Sequence, residues 1–149
     1  MATNAQADTT APNESAQVLE FQLGEETYCV EIEYVAEIVD MGELTAIPNS
    51  PPHIEGVMDL RGRTTSIVNP RRVLNVSGEE RRKRIIVFDP DEMPNEEAVG
   101  WIVDEVYQVT RIDGENVDQP PGAADNAITG VVKREDGFVM WIDPEEVHG

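Results

Sequence analysis

Cysteine and histidine are almost absent from this sequence, and each absence excludes a class of structure. The single cysteine, Cys29, cannot form an internal disulfide, and its place between Tyr28 and Val30 in an apolar stretch indicates a small buried side chain. The two histidines, His53 and His148, have no cysteine or second histidine at the spacing of a metal site. The sequence therefore predicts no disulfide and no metal centre.

Motifs of catalysis are missing as well. The chain contains neither the Gly-x-x-x-x-Gly-Lys-Ser/Thr loop that cradles phosphates nor the Gly-x-Ser-x-Gly turn that presents a nucleophile. The acidic stretch 89–97 places oxygens at near-regular steps, but it lacks the glycine at the sixth place of a calcium loop. At the twelfth place it has Gly100 instead of glutamate. We therefore expect a protein that is not an enzyme and that binds no cofactor.

Long apolar runs are absent too. No segment approaches the length of a membrane span, and the first residues lack the basic start and apolar stretch of an export signal. Residues 1–16 consist mainly of small and polar side chains without periodicity, which is the composition of a disordered tail. We expect a cytoplasmic protein with a disordered tail at 1–16 and one folded unit over 17–149.

Positive charge is scarce. The chain has 11 Lys and Arg against 30 Asp and Glu, a formal net charge of -19, which disfavours binding to nucleic acid or to anionic membranes. An apolar content of 40% favours a folded chain over an acidic disordered one. With only two lysines, Lys83 and Lys133, the composition favours a halophilic source in which salt screens the repulsion. An acidic inhibitor or nucleic-acid mimic is the alternative interpretation of this charge.

Most of the basic residues lie in one part of the chain. Arg61 stands in the predicted tight turn 59–63, where Gly62 would supply a positive φ angle. The group could receive an acidic partner surface, because arginine makes forked hydrogen bonds to carboxylates, or it could balance the protein's own acids. Both interpretations remain open on the sequence alone. The clustered residues are Arg61, Arg63, Arg71, Arg72, Arg81, Arg82, Lys83 and Arg84.

Short apolar segments separated by turn residues predict an all-β fold. Apolar residues occur at every second position on both sides of Gly24, which predicts a β-hairpin over 19–32. Asn69-Pro70 and Asp143-Pro144 each place a capping side chain before a proline suited to the first helical position, so one or two short helices are expected. The other predicted strand segments are 55–60, 64–68, 84–88, 99–103, 106–112 and 138–142.

The sequence also contains an internal similarity. The stretch 56–73 resembles 130–147, and 32–38 resembles 103–109. One duplication of about 70 residues fits two small barrels better than a solenoid, which needs three or more repeats to bury a continuous core. Chance likeness between short strands with glycine turns is the alternative explanation.

Four segments carry a likeness to a known family. The segments 21–28, 35–38 and 47–51 are similar to the first half of CheW proteins. The segment 56–62 reads Gly-Val-Met-Asp-Leu-Arg-Gly and is similar to that family's Gly-Val-x-Asn-Leu-Arg-Gly signature. The resemblance runs from about residue 18 to the C-terminus, and the sequence departs from the family at Asp59, where asparagine is usual. It points to a CheW-type coupling protein, from a halophilic archaeon if the charge is also taken into account.

This resemblance implies a fold and a function. The fold would be two intertwined five-stranded barrels of the Src-homology-3-like kind, packed around a shared core. The function would be that of a chemotaxis adaptor, coupling the cytoplasmic tips of chemoreceptors to the regulatory domain of the histidine kinase CheA. Such a protein is recruited to membrane-associated receptor arrays without inserting into the membrane, and it binds no nucleic acid.

The resemblance also implies two contact surfaces. We expect Arg61 and Glu37 to share the receptor groove, either contacting the receptor or pairing with each other. The implied receptor-binding residues are Val35, Glu37, Ile38, Gly56, Leu60, Arg61, Gly62, Gly100, Val103 and Val109. The implied kinase-binding residues are Asp40, Met41, Gly42, Leu44 and Ile47.

Overall fold

The computed structural model describes residues 15–78, 81–82, 84–120 and 127–148. Most of the predicted tail lies outside these residues, and Ala16 already belongs to the first strand. The strands are β1 (Ala16–Leu23), β2 (Glu26–Glu31), β3 (Val35–Asp40), β4 (Ile54–Leu60), β5 (Arg63–Val68), β6 (Arg84–Phe88), β7 (Val99–Val103), β8 (Glu105–Ile112), β9 (Val117–Asp118), β10 (Ile128–Arg134) and β11 (Gly137–Ile142). The α-helices are α1 (Pro70–Leu74) and α2 (Pro144–His148).

The strands form two sheets with the same topology. One sheet has the order β3-β6-β7-β5-β4 and the other the order β8-β1-β2-β11-β10-β9. Each contains one parallel contact at the equivalent place, β5 beside β7 and β11 beside β2. Apart from the two-residue β9, the orders correspond strand for strand. The predicted all-β fold of two small barrels is therefore confirmed, and β1 and β2 complete the sheet to which the last strands belong.

The correspondence between the two halves extends to a register shift in one strand pair and to the hydrogen bond that caps each helix. The pairing of β4 with β5 shifts register between Ile54 and Gly56, and the pairing of β10 with β11 shifts between Ile128 and Gly130. At α1, the Asn69 side chain accepts a hydrogen bond from a backbone N–H at 3.1 Å; at α2, the Asp143 carboxylate accepts the equivalent bond at 3.0 Å. Both predicted helix starts are thus correct.

A shared apolar core joins the two sheets. Phe21, Val30 and Ile142 enter it from the six-stranded sheet, and Phe88 and Trp101 enter it from the five-stranded sheet. The rings of Phe88 and Trp101 meet edge to face, with centroids 4.7 Å apart. Each such fully buried side chain stabilises the fold by about 1.5–3 kcal/mol. This core fixes the position of one barrel on the other.

Each sheet also encloses a smaller core of its own. Val18, Cys29 and Trp141 pack together in the six-stranded sheet, and Met58 and Ile85 pack together in the five-stranded sheet. Burial raises the pKa of the Cys29 thiol, which agrees with the predicted role of this residue as small buried filler.

Three strands were not among the predicted segments, namely β3, β9 and β10. Burial alternates along β3 without interruption, but Glu37 lies at a half-buried position and Ile38 at an exposed one, so the residue types do not follow an apolar and polar alternation. β9 has only two residues. Neither described α-helix is long enough to cross a membrane.

Candidate functional site

The turn between β4 and β5 presents a charged side chain on an unusual backbone. Arg61 and Gly62 both have positive φ angles, 55° and 78°, as in the type I′ turn that fits a two-residue hairpin. The positive φ predicted at Gly62 is correct. The positive φ of Arg61 was not predicted, because residues other than glycine, asparagine and aspartate rarely adopt positive φ angles.

Arg61 reaches across to β3 and pairs with Glu37. Its Nε lies 2.9 Å from Glu37 Oε2 and its Nη2 lies 2.8 Å from Oε1, so the two planar groups meet in a fork. The hydrogen bond from Arg61 lowers the pKa of the Glu37 carboxyl. Because the Arg61 side chain is 79% exposed, the pair contributes little to stability. It holds a cation and an anion at fixed places on the surface.

Exposed apolar side chains lie on two equivalent strands. Ile38 on β3 is 37% exposed, and Tyr107 and Val109 on β8 are 49% and 47% exposed. In the internal repeat Ile38 aligns with Val109, and β3 and β8 occupy equivalent outer positions in their sheets. The internal repeat therefore places an uncovered apolar side chain at the same position of both sheets.

The remaining predicted receptor residues divide by burial. Val35 and Leu60 are half-buried beside the Arg61–Glu37 pair, whereas Gly56, Gly100 and Val103 are buried. A Cβ added at Gly56 would lie 2.3 Å from the carbonyl oxygen of Thr45, so this glycine is required by backbone packing. We therefore assign the three buried residues to the framework and leave them out of the contact surface proposed below.

The predicted kinase residues begin at Asp40, the last residue of β3, and continue into the segment that joins β3 to β4. Ile47 is 44% exposed, and Gly42 is exposed as well. Met41 and Leu44 turn inward and pack against the smaller core of the five-stranded sheet. Thr45 fixes the segment through two backbone hydrogen bonds with Val57, of 3.0 and 2.9 Å. The segment is a surface strip whose apolar anchors are partly used by the fold.

Most of the described arginines in the cluster form ion pairs with the protein's own carboxylates. Arg84 lies 3.5 Å from a carboxylate oxygen of Asp40, and both Arg72 and Arg82 pair with Glu55 at 3.5 and 3.1 Å. Together with the Arg61 pair, these contacts support the interpretation as internal charge balance. Of the seven described arginines in the cluster, five pair with carboxylates of the same chain, namely Arg61, Arg71, Arg72, Arg82 and Arg84.

One buried polar centre was missed by sequence reasoning. Asp104, 2% exposed, accepts hydrogen bonds from the Gly24 backbone N–H at 2.7 Å, from Arg71 Nη1 at 3.3 Å and from the Arg81 backbone N–H at 2.9 Å. These partners belong to the β1–β2 turn, to α1 and to the approach to β6. No local pattern signals the centre, because the hydrogen-bond partners of its carboxylate are 22 to 80 residues away along the chain.

Comparisons with known proteins agree with this fold. The CheW-like domain family matches residues 17–148. The chain is 28% identical over 141 residues to the chemotaxis protein CheW of Treponema pallidum, which covers 88% of this chain and 81% of that relative. It is 28% identical over 137 residues to that of Thermotoga maritima, with coverages of 88% and 86%.

A solved structure is similar as well. The scaffolding protein TtCheW from Thermoanaerobacter tengcongensis superposes with a TM-score of 0.77 at 29% identity, covering 89% of this chain and 91% of that one. The family match spans both barrels and includes the paired turn of Arg61 and the equivalent strands β3 and β8. This chain belongs to the CheW-like domain family.

Proposed function

We propose that the chain is a non-enzymatic chemotaxis adaptor that holds the cytoplasmic tip of a chemoreceptor and the regulatory domain of the histidine kinase CheA on one rigid body. The observation that carries this proposal is the CheW-like domain over 17–148, with uncovered apolar side chains beside a fixed ion pair. The adaptor would work in the cytoplasm, at receptor arrays to which its two partners recruit it.

The receptor surface in this proposal takes Ile38, Leu60 and the Arg61–Glu37 pair from the five-stranded sheet and Val109 on β8 from the six-stranded sheet. Side chains at 37% and 47% exposure still offer apolar area to a partner. A receptor tip is helical, and an amphipathic helix binds by placing its apolar stripe on such a surface. The ion pair would then set the orientation of the helix by its charges.

The kinase surface in this proposal is the strip from Asp40 to Ile47, on the barrel that also carries Arg61. Ile47 supplies its most exposed apolar side chain. Because the strip is tied down through Thr45, it offers a preorganised surface to a second barrel. Two modest contacts on one rigid body strengthen each other in an array, where one bound partner raises the local concentration of the other.

Co-purification tests this function. In molar potassium chloride, tagged chain is expected to retain both a CheA regulatory domain and a chemoreceptor cytoplasmic fragment. Val109→Asp should lose the receptor fragment and keep the kinase domain, whereas Ile47→Asp should do the reverse. Retention of neither partner by the wild-type chain would contradict the adaptor proposal. Capture of basic proteins that are released by salt would favour the acidic inhibitor instead.

A further inference from the structure

A cleft of about 730 Å³ opens on the six-stranded sheet, on the barrel that does not carry the Arg61–Glu37 pair. It lies between β8 and the turn that joins β10 to β11. Two aromatic side chains line it, Phe138 at 57% and Tyr107 at 49% exposure. Exposed aromatic residues around a depression are typical of a docking surface, because their area is buried when a partner arrives.

The floor of the cleft is a neutralised polar group. Glu20, only 4% exposed, accepts hydrogen bonds from Arg134 Nη2 and from Thr110 Oγ1, the latter at 2.7 Å. The carboxylate and the guanidinium therefore cancel each other, and Arg134 offers no free positive charge to a visitor.

The rim of the cleft is acidic and unmatched. Glu25, Glu26 and Asp136 are all exposed, and within the described residues none of them forms an ion pair. Lys133 lies opposite Phe138 in the β10–β11 hairpin but does not line the cleft. The cleft thus combines two uncovered aromatic rings with three free carboxylates.

We infer that this cleft binds a basic segment of a partner protein, with arginine or lysine side chains against the rim and an apolar side chain on Phe138 and Tyr107. Carboxylates attract such cations, and an aromatic face attracts a guanidinium as well. A second copy of the chain is disfavoured as the partner, because its net charge is -19 and most of its described clustered arginines pair with its own acids. The inference adds a third surface to the two of the proposed adaptor, and this surface adjoins the receptor anchor Val109, which lies two residues after Tyr107 on β8.

Nuclear magnetic resonance titration with short peptides tests this inference at one fixed salt concentration at which the chain is folded. Three peptides of equal length are compared, one with arginines around a tryptophan, one with glutamates around a tryptophan, and one with arginines and glycine. The first should shift the backbone amides of Thr27, Gln108 and Gly137, and the other two should bind at least about tenfold more weakly.

Paired variants separate the cleft from the overall charge. Glu26→Lys with Asp136→Lys should weaken the arginine–tryptophan peptide about tenfold. Asp91→Lys with Glu92→Lys changes the chain's charge equally at exposed positions between β6 and β7, and it should leave the affinity within about twofold. Equal weakening by both double variants would overturn the inference. Two results on the wild-type chain alone would also overturn it. One is binding of the glutamate–tryptophan peptide as tight as that of the arginine–tryptophan peptide, and the other is amide shifts confined to residues outside the cleft.

Discussion

Arg61 is an arginine in a position where the backbone favours glycine or asparagine. Its positive φ places Cβ close to the following carbonyl oxygen, and this crowding persists only where the surroundings hold it. The tight β4–β5 turn and the forked pairing with Glu37 together hold it. This unfavourable backbone at an exposed charged residue motivates the proposal that the Arg61 side chain contributes to the receptor surface.

A charge swap tests how that recognition works. Arg61→Glu should weaken binding of the receptor fragment about tenfold or more and leave kinase binding intact, because an attraction becomes a repulsion. The matched control, Arg63→Glu, makes the same change two residues away. Adding Glu37→Arg to Arg61→Glu then distinguishes two mechanisms: recovery shows that the pair shapes the surface, and continued loss shows that the receptor contacts Arg61 directly. Full receptor binding by the single variant would contradict both.

Asp104 is a buried carboxylate that joins three distant chain segments through its hydrogen bonds. Its carboxylate is buried with the Arg71 guanidinium, whose side chain is 8% exposed, and it also holds backbone N–H groups from two loops. Removing the carboxylate takes this partner from the buried guanidinium and the acceptor from the Gly24 and Arg81 backbone N–H groups.

Asp104→Ala should therefore lower the free energy of unfolding by about 3–5 kcal/mol. Asp59→Ala, at an exposed aspartate on β4, should change it by less than about 0.5 kcal/mol. Denaturant unfolding at constant salt measures both. A loss for Asp104→Ala no larger than that for Asp59→Ala would show that the centre is dispensable.

At the scale of elements, the two short helices use the same capping geometry with different chemistry. Asn69 begins α1 as a neutral cap, whereas Asp143 begins α2 as a carboxylate close to Glu145 and Glu146. Burial, together with those neighbouring carboxylates, raises the pKa of Asp143. Its ionised form is thus disfavoured in the folded state, and the fold loses stability as pH rises from the unfolded-state pKa through the raised pKa.

Asp143→Asn should remove that cost and keep the cap. We expect it to raise the free energy of unfolding near neutral pH by up to about 1 kcal/mol and to flatten the pH dependence in the mildly acid range. Asp143→Ala should instead lower the free energy by about 1 kcal/mol, because the cap is lost. Thermal melts across that pH range compare the variants. If Asp143→Asn and Asp143→Ala lowered the free energy of unfolding equally, the side chain at position 143 would not be acting as a helix cap.

Elements with local signals could be predicted from the sequence, and those defined by distant partners could not. Gly24 between alternating segments predicts the first hairpin, and proline after Asn69 or Asp143 predicts the helix starts. β3 was not predicted because Glu37 lies at a half-buried position and Ile38 at an exposed one, so its residue types do not follow its alternating burial. The Arg61–Glu37 pair was expected only through family resemblance, since a contact across 24 residues leaves no periodic pattern. The Asp104 centre left no signal at all.

At the scale of the whole molecule, repulsion among the negative charges of the chain is the main force against folding that the composition indicates. A net charge of -19 on 149 residues weakens the compact state unless salt screens it. We expect the thermal midpoint to rise substantially between millimolar and molar potassium chloride, as measured by circular dichroism. Choline chloride at equal ionic strength serves as a control for specific potassium binding. Equal midpoints in low and high salt would remove the halophilic interpretation, which stays a prediction here.

The strand order also fixes when each half can assemble. β3 to β7 follow one another along the chain and form a sheet among themselves, whereas β1 and β2 pair with β8 and β11. During synthesis β1 and β2 leave the ribosome before the five-stranded sheet, whereas their partner strands β8 and β11 follow that sheet. The nascent chain therefore carries an apolar hairpin with unpaired edges while β3 to β7 are made, and exposed edges of this kind are prone to aggregation. The barrel begun first is the one completed last.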